Sequence, residues 1–137
     1  MNTIPLQSGG VNVLASRGDW SSPGLVEEVF TRRGVNLLAT EDSGEFFEIL
    51  QHRRIHAVMI DCDFEITGGF SIIRIVKRDN PVVPCILVSG RRDEDLLRKA
   101  LELDADTVLR KPVKAGVLSG QLDRIFGRLN NSDVING

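Results

Sequence analysis

The sequence predicts an α/β domain: a five-stranded, doubly wound parallel sheet with helices on both faces, three layers in all. Three observations carry this. Five short apolar runs alternate with five segments of helical spacing. Two of the runs, Ala57–Asp61 and Val83–Ser89, are almost unbroken in apolar residues, as strands covered on both faces are. Helices joining successive strands make βαβ crossovers, which set neighbouring strands parallel.

In chain order, residues 1–10 are polar and interrupted by Pro5, Gly9 and Gly10, and read as a flexible lead-in. The first strand is Val11–Ser16. Ser21 and Ser22 are placed to cap a first helix carrying Leu25, Val26, Val29 and Phe30, which Gly34 stops. Val35–Thr40 is the second strand, and Ser43 is placed to cap a second helix with Phe46, Phe47 and Leu50 inward. Ala57–Asp61 is the third strand. A third helix runs from Gly69 to Asp79 with Ile72, Ile73 and Val76 on one side, and Pro81 marks its exit. Val83–Ser89 is the fourth strand. A fourth helix covers Asp93–Leu103, its acidic start suited to the helix dipole, with Leu97, Ala100 and Leu101 expected inward. Ala105–Arg110 is the fifth strand. A fifth helix starts near Val113 and carries the stripe Leu118, Leu122, Ile125 and Leu129. The domain spans residues 11–129, and residues 130–137 read as a flexible tail.

The bulk properties narrow the function. The chain has 137 residues, enough for one domain that buries a core without disulfides or metals. A net charge of −2 gives no electrostatic footprint for nucleic acid or for an anionic membrane. No apolar stretch reaches membrane-spanning length, and the start lacks the basic and apolar blocks of a signal peptide. Cys62 and Cys85 lie in or beside apolar runs and read as buried free thiols. Together these give a cytoplasmic expectation.

A sheet of this kind binds ligands outside the carboxyl ends of its strands, where strand order reverses. The residues there are Ser16 and Arg17 after the first strand, Thr40 to Asp42 after the second, Asp61 after the third, Ser89 at the end of the fourth and Lys111 after the fifth. A carboxylate, a hydroxyl and an ammonium on one rim suit phosphoryl chemistry. Asp61 can act as nucleophile, and Lys111 and Ser89 can bind the phosphoryl oxygens. His52 and His56 flank a helix end and a strand start, with no metal or nucleophile pattern around them. Ser8-Gly9-Gly10 lacks the spacing of a phosphate loop, and the pairs Arg32-Arg33, Arg53-Arg54 and Arg91-Arg92 read as solvated faces.

On these motifs the chain resembles the receiver domain of bacterial two-component response regulators. The resemblance runs from about Val11 to Leu129. It rests on Val58-Met59-Ile60-Asp61, Ile86-Leu87-Val88-Ser89-Gly90 and Leu109-Arg110-Lys111-Pro112, in that order on three successive strand ends, with Gly68-Gly69-Phe70 fitting the loop and helix start after Asp61. It implies a flavodoxin-like (βα)5, CheY-like fold. It also implies Asp61 as phosphoacceptor, Ser89 and Lys111 as its partners, a cis Lys111–Pro112 bond and Mg²⁺ at the site. The implied partners are a histidine kinase or phosphotransfer protein and an output protein docked on the helix 4–strand 5–helix 5 face, with a homodimer as an option.

The sequence departs from that pattern twice. Receivers normally end strand one with two acidic residues that hold Mg²⁺ together with the phosphoacceptor, and here Ser16 and Arg17 stand at that position. Asp61 and Asp63 are the carboxylates left for a metal, with Asp19 two residues further along the loop. Val108 occupies the position where many receivers carry a switch aromatic. A guanidinium about 4 Å from Asp61 would interact by roughly 4 kcal/mol at an effective dielectric of about 20, before desolvation. Arg17 is therefore expected to take the place of the metal as a bidentate partner of Asp61. The expected protein is a stand-alone receiver domain, not an enzyme, in which Asp61 is either phosphorylated with metal help or held without phosphate. The alternative is a flavodoxin-like domain binding a nucleotide or flavin. The lack of a Gly-rich phosphate loop, and a single Trp20 with no Tyr for stacking, stand against it.

Overall fold

In the computed structural model the strands form where the apolar runs lie: β1 (Val11–Ser16), β2 (Val35–Thr40), β3 (Ala57–Asp61), β4 (Cys85–Ser89) and β5 (Thr107–Arg110). Between and after them come α1 (Leu25–Arg32), α2 (Ser43–His52), α3 (Gly68–Asp79), α4 (Glu94–Glu102) and α5 (Ala115–Asn136). The structure describes residues 10–64, 68–91 and 93–136, and of residues 126 and 128–136 the backbone alone. The lead-in over 1–9, Arg92 and the Leu129 side chain lie outside the described residues.

The sheet is parallel throughout, in the order β2-β1-β3-β4-β5. Strand order reverses at β1, which lies between β2 and β3, so the crevice predicted for the site opens between β1 and β3. Side chains alternate across each strand and feed two cores. Val13, Ala15, Met59 and Val88 pack with Phe30 of α1 and Leu118, Leu122 and Ile125 of α5. Leu14, Val58, Ile60 and Leu87 pack on the other face with Phe46, Ile72, Ile73, Val76, Leu96 and Ala100. This double coverage explains the unbroken apolar runs of β3 and β4, in which every residue is buried.

Local details correct the sequence expectation at several places. β4 starts at Cys85 rather than Val83, because Pro84 has no N–H to give to the ladder. The fifth strand likewise begins at Thr107 rather than Ala105. Neither Ser21 nor Ser22 caps α1: its N-cap is Gly24, at φ +82°, with no side-chain cap. Asp42, not Ser43, caps α2 by accepting the Glu45 N–H at 2.8 Å, and the Glu45 carboxylate accepts the Glu41 N–H in return. On α4 the inward residues are Leu96 and Ala100, while Leu97 and Leu101 are 38% and 77% exposed. The helix, capped by Asp93, carries two adjacent apolar stripes, and docking on the sheet turns Leu96 and Ala100 to the core. α5 continues past Leu129 to Asn136, into the segment read as a tail.

Candidate functional site

The rim is assembled by the ends of β1, β3, β4 and β5. Asp61 closes β3 with its side chain buried, and its own N–H donates to Ser16 Oγ of β1 at 2.9 Å. Pairing of Val88 with Asp61 sets Ser89 one residue beyond it on the next strand, and pairing of Ser89 with Arg110 brings Lys111 to the same edge. Lys111 follows directly, its N–H donating to Ser89 O, and its peptide bond to Pro112 is cis, as the resemblance implied. Lys111 Nζ lies 2.5 Å from Asp61 Oδ2. Asp61 Oδ1 accepts the Asp63 N–H at 2.8 Å. The buried Ser89 accepts the Arg91 N–H at its Oγ. At the start of α3, Gly69 N–H donates to Cys62 O.

Arg17 is not the partner of Asp61. Its side chain is exposed and forms an ion pair with Glu41. The cause is register. Ser16 faces Thr40 across β1 and β2, and Arg17 N–H donates to Thr40 O, so the next residue across is Glu41. A hydrated carboxylate at the surface costs a guanidinium less desolvation than one already paired in the interior. Glu41 is among the residues after the second strand and has no role in the sequence reading; its in-register position beside Arg17 is the signal that points to it. Arg17, Gly18, Glu41, Asp61, Asp63 and Phe64 line an open cleft of about 420 Å³ over the rim.

The residue that sequence reasoning missed is Trp20. Its indole N–H donates to Asp61 Oδ2 at 3.0 Å, and the ring is buried. The signal was there: a bulky aromatic in an otherwise polar, glycine-containing loop just after a strand end. Gly18 permits the contact. A Cβ at that position would stand 2.6 Å from Trp20 Nε1 and 2.9 Å from Asp61 Oδ2.

The donor set does not suit Mg²⁺. Asp61 Oδ2 already carries two donors, Oδ1 carries a backbone N–H, and Ser16 turns its oxygen to the Asp61 amide. Asp63 and Asp19 are exposed, and among the described residues no group of three or more His, Cys, Asp or Glu side chains could hold a metal ion. Val108 is half-buried in β5, paired with Leu87. Both cysteines are free and buried. Burial pushes the Cys62 thiol up to about 11; the Ser89 hydroxyl opposes this, and Asp61 and Asp63 add to it. Burial pushes Cys85 up to about 12. His56 is half-buried and accepts the Asn12 N–H at Nδ1, at the opposite end of the sheet from the rim, whereas His52 is exposed on α2 beside Glu48.

The family model of the response regulator receiver domain matches residues 22–123. The chain belongs to the response-regulator receiver domain family. The matched stretch begins after β1, two residues beyond Trp20, and takes in Asp61, Ser89 and Lys111. Among relatives, the TorCAD operon transcriptional regulatory protein TorR of Escherichia coli (strain K12) is 25% identical over 105 residues, 77% of this chain and 45% of that protein. The transcriptional regulatory protein AfsQ1 of Streptomyces coelicolor is 30% identical over 104 residues, 75% of this chain and 45% of that protein. This receiver thus spans about half the length of the curated relatives it matches. A response regulator receiver domain protein from Clostridium thermocellum superposes with TM-score 0.74 at 26% identity, covering 88% of this chain and 97% of that one. The chemotaxis response regulator CheY4 of Vibrio cholerae shares the fold, with TM-score 0.72 at 19% identity over 85% of this chain and 98% of that one. Receiver domains are signalling modules that work with histidine kinases and output domains, and they commonly bind Mg²⁺ at the phosphorylation site. No helix among the described residues of this receiver is long and apolar enough to cross a membrane.

Proposed function

We propose that this receiver domain is a cytoplasmic, non-enzymatic docking module whose rim is held by Lys111 rather than by a divalent cation, so that it signals through protein contacts without a phosphoryl group on Asp61. One observation carries the reading: the Asp61 carboxylate, at the phosphoacceptor position, is paired with Lys111 at 2.5 Å while Ser16 and Arg17 stand where the acidic pair is expected. Phosphoryl transfer to a carboxylate depends on positive charge placed at the developing oxyanions, and a metal usually supplies most of it. Here Lys111 is the cation at hand, and it is already engaged. Ser89 stands at the hydroxyl position, and its Oγ accepts the Arg91 N–H. The α4–β5–α5 face supports the docking role, since Leu97, Leu101 and Val117 are exposed there. Its partner is the output protein, with a kinase, a phosphotransfer protein or a second copy as further candidates.

The test is incubation of the purified chain with a small phosphodonor and Mg²⁺, read by intact mass. No phosphoryl adduct is expected on the wild type, and an Arg17→Asp variant is expected to gain one. A single adduct on the wild type that is lost in Asp61→Asn would refute the reading.

A further inference from the structure

Asp61 Oδ2 is shared by two donors from opposite sides of the rim, Lys111 Nζ and Trp20 Nε1. The indole N–H can only donate, and a buried one needs an acceptor. Trp20 is 5% exposed, so Asp61 is the group that allows its ring to stay inside. The same residue is tied to the start of α5. Val113 N–H donates to Trp20 O at 2.7 Å, and Ser21 Oγ donates to Val113 O at 2.7 Å. The β1–α1 loop therefore crosses the rim from β1, contacts Asp61 and fastens to the residue two positions before α5. Beyond the loop, α1 and α5 are joined by the Arg33–Asp123 ion pair. Gly18 closes off one direction of movement, because its backbone already lies against the Trp20–Asp61 hydrogen bond. On the other side of the rim, Val108 has no ring to swing and Ser89 Oγ is engaged with Arg91.

We propose that Trp20 is the positioning residue that reads the charge of Asp61 and passes it to the α1–α5 side of the domain through Val113. While Asp61 is a free carboxylate, it holds the indole N–H and the loop stays fastened. When Oδ2 is lost, the buried N–H has no acceptor, the ring leaves its site, and the two hydrogen bonds to Val113 loosen; when Oδ2 is only neutralised, a weaker acceptor remains and the loosening is partial. The proposal concerns the charge on Asp61 however it is changed, so it does not depend on whether the chain is phosphorylated.

The chain has one Trp and no Tyr, so its near-ultraviolet-excited emission reports Trp20 alone. The experiment measures that emission and amide hydrogen exchange on the full chain for wild type, Asp61→Ala, Asp61→Asn, Trp20→Phe and the Trp20→Phe/Asp61→Ala double variant. Asp61→Ala is expected to shift emission to the red and to speed exchange of the Val113 amide by about ten-fold or more. The amide of His56, which donates to Asn12 O at the far end of the sheet, is expected to keep its wild-type rate. Asp61→Asn retains an acceptor oxygen and is expected to fall between wild type and Asp61→Ala; it also serves if Asp61→Ala does not fold. In the Trp20→Phe background, Asp61→Ala is expected to add nothing further at Val113. Wild-type emission and Val113 exchange in both Asp61 variants would overturn the proposal. So would an Asp61 effect on Val113 that persists undiminished in Trp20→Phe, which would assign the coupling to Lys111 and Pro112 instead. The phosphodonor assay reads a different quantity, so failure here leaves the reading of the metal-free rim intact.

Discussion

Gly69 sits at the start of α3 with its Cα against the carbonyl that follows the Asp61 side chain. A Cβ there would stand 2.3 Å from Asp61 O and 2.7 Å from Ile60 Cγ2. Van der Waals contact is optimal near about 3.5 Å, so Gly69→Ala forces a separation of about 1 Å between α3 and the end of β3. Asp61 O cannot simply yield, because it accepts the Phe64 N–H at 3.0 Å, and Gly69 N–H is itself bound to Cys62 O. Overpacking of this kind costs about 1–3 kcal/mol, a lost backbone hydrogen bond adds about 1 kcal/mol, and better helix propensity returns at most about 1 kcal/mol. The expected loss is about 2–3 kcal/mol. With a urea slope of about 1–2 kcal/mol/M, the midpoint falls by about 1–3 M, followed by Trp20 emission. Gly120→Ala on the exposed side of α5, where a Cβ meets nothing within 4 Å, is the control and should raise stability by about 1 kcal/mol. A Gly69→Ala midpoint within about 0.3 M of wild type would refute the claim that this glycine fixes the loop after Asp61.

Asp42→Ala removes the cap that accepts the Glu45 N–H and should lower stability by about 1 kcal/mol in the same urea titration. Leu96→Ala should cost about 2–4 kcal/mol, whereas Leu101→Ala, 77% exposed on the same helix, should change stability by less than about 0.5 kcal/mol. Both thiols are held protonated by burial, Cys62 up to about 11 and Cys85 up to about 12, so a disulfide reagent at about pH 8 should label the native protein far more slowly than the urea-unfolded chain. The sign for stability follows. An unfolded cysteine ionises near about pH 8.5 while the folded thiols stay neutral, so this contribution is complete below about pH 8.5 and is lost as pH rises toward the folded values, which denaturation midpoints across that range will show.

Much of the architecture is legible from residue order. Apolar runs of strand length separated by helical spacing locate all five strands to within two residues at each end. Continuous burial on β3 and β4 follows from composition, because parallel strands covered on both faces have no polar side to show. Asp61, Ser89 and Lys111 then fall on one rim because each closes or follows a strand, and parallel strands end on the same edge. Helix caps were displaced, because Ser, Asp and Gly all satisfy a helix start locally and the choice depends on the loop's path, as at Asp42 and Gly24. The inward face of α4 was misassigned, because Leu96, Leu97 and Leu101 offer two stripes and only docking on the sheet selects between them.

Residue order is enough to place the fold and the rim, and to show Ser16 and Arg17 where an acidic pair is expected. Which group meets Asp61 in that pair's place is set by long-range packing. Arg17 and Trp20 leave β1 within four residues of each other, and nothing local ranks them as partners of a carboxylate 41 residues from Trp20. Strand register sends Arg17 to Glu41 at the surface. The path of the loop over Gly18 and its fastening at Val113 send Trp20 inward. A flexible charged side chain stays where it keeps water, while a rigid, largely apolar ring gains from burial and needs only one acceptor for its N–H. Asp61 is that acceptor.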